Sequence, residues 1–182
     1  MNFTPFPEIK TDRLLLRKIK ASDCDVMLFL RTDENVTKFI ERPEHRKTKN
    51  ISDAIKLITE LESYIERNTS ISWGITLKKD SPIIGTICLW NFTQNNKIAE
   101  VGYDLVPKYQ NKGIMSEALK MIVEFGFKSL KLDKIEAFTH AENLPSTKLL
   151  DTHGFIHNVN RRDLENKSNI IFEIENKEMN PQ

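Results

Sequence analysis

Between positions 99 and 127 the chain changes from one side-chain periodicity to another, and that change limits the folds open to it. Ala99, Val101, Tyr103 and Leu105 alternate with Glu100, Gly102, Asp104 and Val106, the period of two with which a strand separates its faces. Pro107 ends the alternation, since proline has no N–H to give to a ladder. A short polar loop with one glycine, Gly113, follows. Beyond it Ala118, Leu119, Ile122, Val123 and Phe127 recur at the spacing of a buried helix face, which predicts a helix over 113–130. A strand that feeds a loop and then a helix start forms an anion site of a general kind. Unpaired N–H groups and the helix dipole favour negative charge there, and a glycine lets the backbone come close. Taken alone, the same pattern is equally a tight strand-to-helix turn that binds nothing.

The rest of the chain supplies a sheet and helices around that segment. Residues 13–19 form a short apolar run flanked by charge, a first strand. Ala21, Ser22 and Asp23 offer caps for a helix carrying Val26, Leu28, Phe29 and Leu30, which ends near the polar stretch 31–35. Residues 41–49 are densely charged, contain Pro43, and are expected as a solvated loop. Ile51, Ala54, Ile55, Ile58, Leu61 and Ile65 predict a long amphipathic helix capped by Asn50 or Ser52. Residues 72–77 and 83–90 are rich in β-branched and aromatic residues around a turn at 79–82, a hairpin. Strands over 135–139, 155–159 and 170–174 and a short helix opening at Pro145 complete the chain. Gly154 suits the left-handed position after that helix. The sum is an α+β fold with a mixed, mostly antiparallel sheet.

Composition narrows the function classes. At 182 residues without repeats or Gly/Ser-rich linkers, the chain is expected to form a single domain over 1–182. Its 27 basic and 26 acidic residues leave a formal charge of +1, which argues against a general nucleic-acid binder. No apolar run approaches the roughly 18 residues of a membrane span, and the first residues lack a signal-peptide pattern, so a cytoplasmic protein is expected. Cys24 and Cys88 have no spacing for a disulfide framework or a redox motif and are expected as ordinary reduced, partly buried thiols. His45, His140, His153 and His157 show no metal-ligand spacing, so no metal is expected.

Several motifs, taken in order, resemble the GNAT superfamily of N-acetyltransferases over about 11–174. Gln110-x-x-Gly113-x-Met115 follows a strand ending in Val106 and Pro107. Two segments later come Ala141, Glu142, Asn143, Ser146, Leu149, Leu150, His153, Gly154 and Phe155. Thr11, Asp12, Arg13, Leu14, Leu16 and Arg17, with Glu100, Gly102 and Tyr103 and with 113–118, look most like the RimJ/RimL group, which acetylates protein N-terminal amines. The resemblance implies a GNAT-like fold, with helices on both faces of the mostly antiparallel sheet, and acetyl-CoA as co-substrate. Gln110, Asn111, Lys112, Gly113, Ile114 and Met115 would hold its pyrophosphate, with Lys112 adding charge at the edge. Met115 stands where the family pattern has Gly or Ala, a departure that main-chain binding tolerates if the side chain points away. The resemblance also implies that the 98–106 strand splays from the 135–139 strand, so that Leu105 and Val106 offer main-chain groups to the pantetheine arm.

Acetyl transfer from a thioester to an amine needs a neutral nucleophile, a site for developing negative charge, and a proton for the departing sulfur. Glu100 takes the place of the family's catalytic glutamate and is the candidate base, directly or through water; otherwise it is a solvent-side glutamate on a strand. Ser146, where the RimJ/RimL-like members have serine, is the candidate group near the sulfur, or else the N-cap of the helix at Pro145. Asn143 would hold the pantetheine arm or simply shape the turn. Trp73, Trp90 and Tyr103 are read as core or as the wall of the acceptor pocket. Cys88 is taken as a sheet residue, because direct transfer needs no acyl-enzyme. The charged turn Arg161, Arg162 and Asp163 lies where the family often has a loop by the acceptor entrance.

The expected activity is therefore transfer of an acetyl group to a primary amine by direct attack in a ternary complex, with a protein N-terminus as the acceptor the subgroup implies. A polyamine, an antibiotic or another small amine is the rival acceptor. A non-catalytic acetyl-CoA-binding module is the rival class. Monomer and homodimer are both left open by the sequence, and neither nucleic acid nor membrane is expected as a partner.

Overall fold

The computed structural model describes residues 1–40, 42–44, 47–77 and 81–176. Along them run β1 (Ile9–Lys10), β2 (Leu15–Lys18), α1 (Cys24–Thr32), α2 (Glu34–Thr37), α3 (Ile51–Glu66), β3 (Ile71–Thr76), β4 (Gly85–Trp90) and β5 (Ile98–Leu105). Then come α4 (Ile114–Lys128), β6 (Lys134–His140), α5 (Leu144–Thr152), β7 (Ile156–His157) and β8 (Asn169–Glu175). The strands form one sheet in the order β1-β2-β3-β4-β5-β6-β8-β7. Every neighbouring pair is antiparallel except β5 and β6, which run parallel. The expected mixed sheet with helices on both faces is what is found. His45, part of the 41–49 loop and part of the 79–82 turn lie outside the described residues.

Cross-strand register divides the sheet's two faces. Trp73 pairs with Ile87, and Ile87 with Tyr103, so these three stand in one row on one face. That face is apolar. It shares a core with the buried stripe of α4 (Met115, Ala118, Leu119, Ile122) and with Leu150 of α5. The opposite face is polar across the middle of the sheet. Trp90 pairs with Glu100, Glu100 with Glu136, and Glu136 with Glu173, a row spanning four strands.

Over β2–β4 that second face is covered by α1 and α3, whose Met27, Ala54 and Ile58 pack with Ile19 and Ile83. Gly74 is required under them, because a Cβ there would come within 2.5 Å of the Ile83 side chain. Asn50, not Ser52, caps α3, its side-chain oxygen accepting the Asp53 N–H at 3.0 Å. The unexpected α2 forms because the Asp33 side chain accepts the N–H groups of Asn35 and Val36, restarting a helix where the sequence suggested only an end. Among the described residues no helix is long and apolar enough to cross a membrane.

One ion pair ties the turn before α1 to the sheet. Arg17 on β2 donates from both terminal nitrogens to Asp23, at 2.8 and 2.9 Å, and both side chains are buried. Burial pushes the Asp23 carboxyl up, but the Arg17 guanidinium and the main-chain N–H groups of Lys20 and Ile83 more than offset this and hold it below the usual range. Removing one partner of such a pair leaves the other charge buried. Asp23→Ala is expected to cost about 3 kcal/mol of stability, measured by urea denaturation, with α1 the element whose amide protection falls most.

Candidate active site

The parallel pair β5 and β6 comes apart. Register contacts join only Ile98 to Lys134, Ala99 to Ile135 and Glu100 to Glu136, although β5 continues to Leu105 and β6 to His140. The Val106 N–H bonds the Ile84 carbonyl at 2.9 Å, so strand alternation turns the main-chain groups of Asp104 and Gly102 toward β4 and those of Tyr103 and Leu105 toward β6. The Ala141 N–H bonds the Ser168 carbonyl at 2.9 Å, so by the same alternation the Phe138 main chain faces β5. An opened parallel pair edged by strand-like donors and acceptors is a slot for an extended ligand that carries amides. This is the splay that the resemblance implied.

Leu105 edges the slot as expected, and Val106 does not. Val106 spends its N–H on Ile84 and its carbonyl on Tyr109 N–H at 2.9 Å, so the main-chain pair facing the slot is Tyr103 with Leu105. Gln110 Nε2 donates to the Leu105 carbonyl at 3.1 Å, which fixes the end of the slot from the loop side.

At the end of β5 a short helical turn, Pro107–Tyr109, leads into the loop before α4. Asn111 and Gly113 are both left-handed, with φ of 57° and 71°, and Gly113 is the residue before the first turn of α4. Left-handed residues in such a loop turn successive N–H groups to a common side, the geometry of anion-binding nests, and the N–H groups of the first turn join them. Glycine is required at 113 by this backbone conformation. Close approach by the protein itself is not the reason, because a Cβ would meet only Arg13 Nη2 at 3.5 Å. Ile114 and Met115 bury their side chains in the core with Leu119 and Ile122, so Met115 points away from the loop's open side. Lys112 remains at the loop edge, its Nζ 5.8 Å from the Tyr109 ring.

On the polar face Glu100 is partly buried. Burial pushes its carboxyl up to about 7, helped by the neighbouring carboxylates Asp163, Glu136 and Glu165, while a hydrogen bond from Asn91 pulls the other way. Glu136, beside it on β6, is held by both terminal nitrogens of Arg161, one at 3.0 Å, which places the 161–163 turn over the Glu100 row. Trp90 stands in the same row and is 36% exposed. At the other end of β5 Asp104 accepts from Thr86 Oγ1 at 2.6 Å and from Arg31 of α1, tying that helix down beside the row.

On the opposite face the Tyr103 hydroxyl and Ser146 Oγ lie 2.8 Å apart. Burial pushes the Tyr103 hydroxyl up to about 12, against a smaller opposing effect of the Ser146 hydrogen bond, so it remains a neutral donor at physiological pH. Ser146 is 8% exposed and sits inside the first turn of α5. The cap is Asn143, whose Oδ1 accepts the Ser146 N–H at 3.3 Å, so Asn143 shapes the turn and the Ser146 hydroxyl is left for other work.

Of the three aromatic residues read as core or acceptor wall, Trp73 and Tyr103 lie away from the Glu100 row. Trp73 has no exposed surface; its indole N–H donates to the Pro7 carbonyl at 2.7 Å and its ring meets Phe125 edge-on at 5.4 Å, so it is core. Tyr103 is on the face opposite Glu100 and Trp90, where its hydroxyl partners Ser146. Parity within β5 carried the part of that signal that separates Tyr103 from Glu100, while the pairing of Trp90 with Glu100 is set by register. Cys88 is a sheet thiol pushed up to about 12 by burial, unsuited to attack as a nucleophile. Two polar links were not foreseen. Ser116 in the first turn of α4 meets His153 Nε2 at 2.7 Å. Thr11 and Arg13 both bond Glu117. Among the described residues no three His, Cys, Asp or Glu side chains gather as metal ligands would.

Residues 13–156 match the family described as acetyltransferase (GNAT) domain. The chain belongs to the GNAT acetyltransferases. It is 34% identical over 164 residues to p20, an uncharacterized N-acetyltransferase of Bacillus licheniformis, covering 90% of both chains. Its fold is similar to that of the ribosomal-protein-S5-alanine acetyltransferase of Vibrio fischeri, with a TM-score of 0.79 at 23% identity over 96% of this chain and 100% of that one. It is also similar to RimJ of Mycobacterium smegmatis in complex with a CoA disulfide, with a TM-score of 0.77 at 20% identity over 93% and 84% of the two chains.

In this GNAT domain the left-handed backbone at Gly113 gives a measurable expectation. Gly113→Ala must hold a Cβ at positive φ and is expected to lose about 1 kcal/mol in a urea titration, with the fold retained.

Proposed function

We propose that this GNAT acetyltransferase moves the acetyl group of acetyl-CoA onto a protein N-terminal α-amine by direct attack in a ternary complex. The observation that supports the reading is the arrangement around the opened β5–β6 pair. A carboxyl with a pKa near 7, Glu100, stands on one face, and a hydroxyl pair, Tyr103 with Ser146, on the other. The Gln110–Met115 loop stands at the slot's end, where main-chain N–H groups and Lys112 suit a pyrophosphate. Leu105 and Tyr103 suit the amides of a pantetheine arm by strand-like pairing, and Asn143 fixes the turn that presents Ser146.

Glu100 accepts the proton that the attacking ammonium must lose, either directly or through a water. The nitrogen then bonds the acetyl carbon as the carbon–sulfur bond breaks, and the second proton that the nitrogen sheds on becoming an amide ends on the departing sulfur, leaving the free thiol of CoA. Ser146 donates a hydrogen bond to the departing sulfur and draws its own from the Tyr103 hydroxyl. Trp90 and the Arg161–Glu136 pair border the acceptor's approach to Glu100. The choice of acceptor rests on proton affinity as well as on the RimJ/RimL-like fold. An α-amine loses its proton near pH 8 and a lysine-like amine near 10.4, so a base with pKa near 7 matches the α-amine far better.

Two experiments test the reading. Calorimetric titration with acetyl-CoA is expected to show micromolar binding that Gly113→Glu abolishes by placing an anion in the loop; absence of binding by the wild type would sink the proposal. With N-terminal peptides and small amines offered as acceptors, kcat/KM on the peptide is expected to rise through pH about 7 as Glu100 ionises. Glu100→Gln should lose roughly a hundredfold or more of that rate. Turnover confined to small amines would remove the N-terminal acceptor.

The same substitution has an opposite effect on stability. The folded-state pKa of Glu100 lies above its ordinary 4.5, so its contribution is fully present below about pH 4.5 and lost as pH rises through about 7. Glu100→Gln should therefore melt higher than wild type at pH 8 and alike at pH 4.

A further inference from the structure

Thr11 and Arg13 open the chain's family-like segment, yet neither takes part in the chemistry described above. Their side chains reach across the sequence to the cofactor loop. Arg13 Nη1 donates to the Lys112 carbonyl at 3.2 Å and Nη2 to the Gly113 carbonyl at 3.3 Å, while Nε donates to Glu117 Oε2 at 2.6 Å. Thr11 Oγ1 also donates to the Glu117 carboxylate, and its oxygen accepts the Leu14 N–H at 2.8 Å, which anchors the group to the start of β2. Burial pushes the Glu117 carboxyl up, but the Thr11 and Arg13 hydrogen bonds and the Arg13 charge more than offset it and hold the group ionised.

We propose that Arg13 is a positioning residue for the diphosphate of the cofactor, acting from behind the loop through two carbonyls and one carboxylate. The inference rests on the assignment of the 110–115 loop to the acetyl-CoA pyrophosphate. A trans peptide sets its C=O and the following N–H on opposite sides. Tying the Lys112 and Gly113 carbonyls to one guanidinium therefore turns the N–H groups of Gly113 and Ile114 the other way, toward the loop's open side. The planar fork of arginine can hold both carbonyls and a carboxylate together, which a lysine cannot. The second effect is electrostatic. Glu117 is an anion in the first turn of the helix whose N-terminus would receive another anion, and Arg13 cancels its charge at 2.5 Å.

The prediction is specific to the phosphate end of the ligand. Arg13 is more than half exposed, so its replacement leaves the core untouched. Arg13→Ala is expected to raise the KM for acetyl-CoA roughly tenfold or more, with kcat at saturation within about twofold. The kcat/KM for S-acetylpantetheine, which has the thioester arm but no diphosphate, should stay at the wild-type value. Arg13→Lys keeps a charge opposite Glu117 without the fork and should recover only part of the acetyl-CoA loss. An equal loss with both thioesters would overturn the proposal in favour of a general structural role. So would an unchanged KM for acetyl-CoA in Arg13→Ala, or a wild-type KM in Arg13→Lys. Thermal melts of both variants identify any loss of fold, and Arg13→Lys supplies the comparison if the alanine variant does not fold. Wild-type protein that fails to use acetyl-CoA would instead remove the cofactor assignment on which the inference stands.

Discussion

The separation of β5 from β6 after Glu100 and Glu136 is the constraint on which the rest of the site depends. Strands that stop pairing leave main-chain donors and acceptors facing each other across a gap, and such groups are costly to leave unmet. This fold holds the gap open from its sides. Seven consecutive register pairs tie β6 to β8, and six tie β4 to β5, so neither strand can drift to close it. Gln110 reaches back to the Leu105 carbonyl, and the capped turn at Asn143 closes the far side with Ser146.

Because successive residues of a strand face opposite ways, one strand presents a carboxyl, Glu100, on one face of the sheet and a hydroxyl, Tyr103, on the other. Glu100 lies on the face shared with Glu136, Arg161 and Trp90, where partial burial and like charges raise its proton affinity. Tyr103, on the other face, shares a buried row with Ile87 and Trp73 and meets Ser146 from α5. The two sets can converge only where the sheet is interrupted. The same arrangement explains why α1 and α3 stop short of the Glu100 row: their apolar residues cover β2–β4, and Arg31 with Asp104 marks the end of that cover.

Much of the fold was legible beforehand. The alternation over 99–105, the helical stripe after Gly113 and the β-branched runs of β3 and β4 depend on local patterns that survive packing. The missed pieces were short. β1 is two residues long and exists only through pairing with Leu15 and Leu16, and α2 is one turn started by the Asp33 cap. In the candidate site, the loop, Glu100 and Ser146 were visible as motifs. Trp73 and Tyr103 could be read only as core or acceptor wall, because an aromatic residue on a strand has the same local signature whether it lines a cleft or fills a core. The engagement of Val106 depends on which way its peptide points, which hydrophobic pattern does not carry.

The sequence by itself determined the family, the order of the longer elements and the left-handed turn that requires Gly113, because these follow from periodicity, proline, glycine and motif order along the chain. Tertiary structure alone decided which side chains meet. Arg13 and Glu117 are far apart in sequence, as are Tyr103 and Ser146, and Glu136 and Arg161. Glu100 acquires a proton affinity near neutrality only when folding buries it beside other carboxylates. Contacts of that kind depend on register and on three-dimensional distance, neither of which a linear pattern contains.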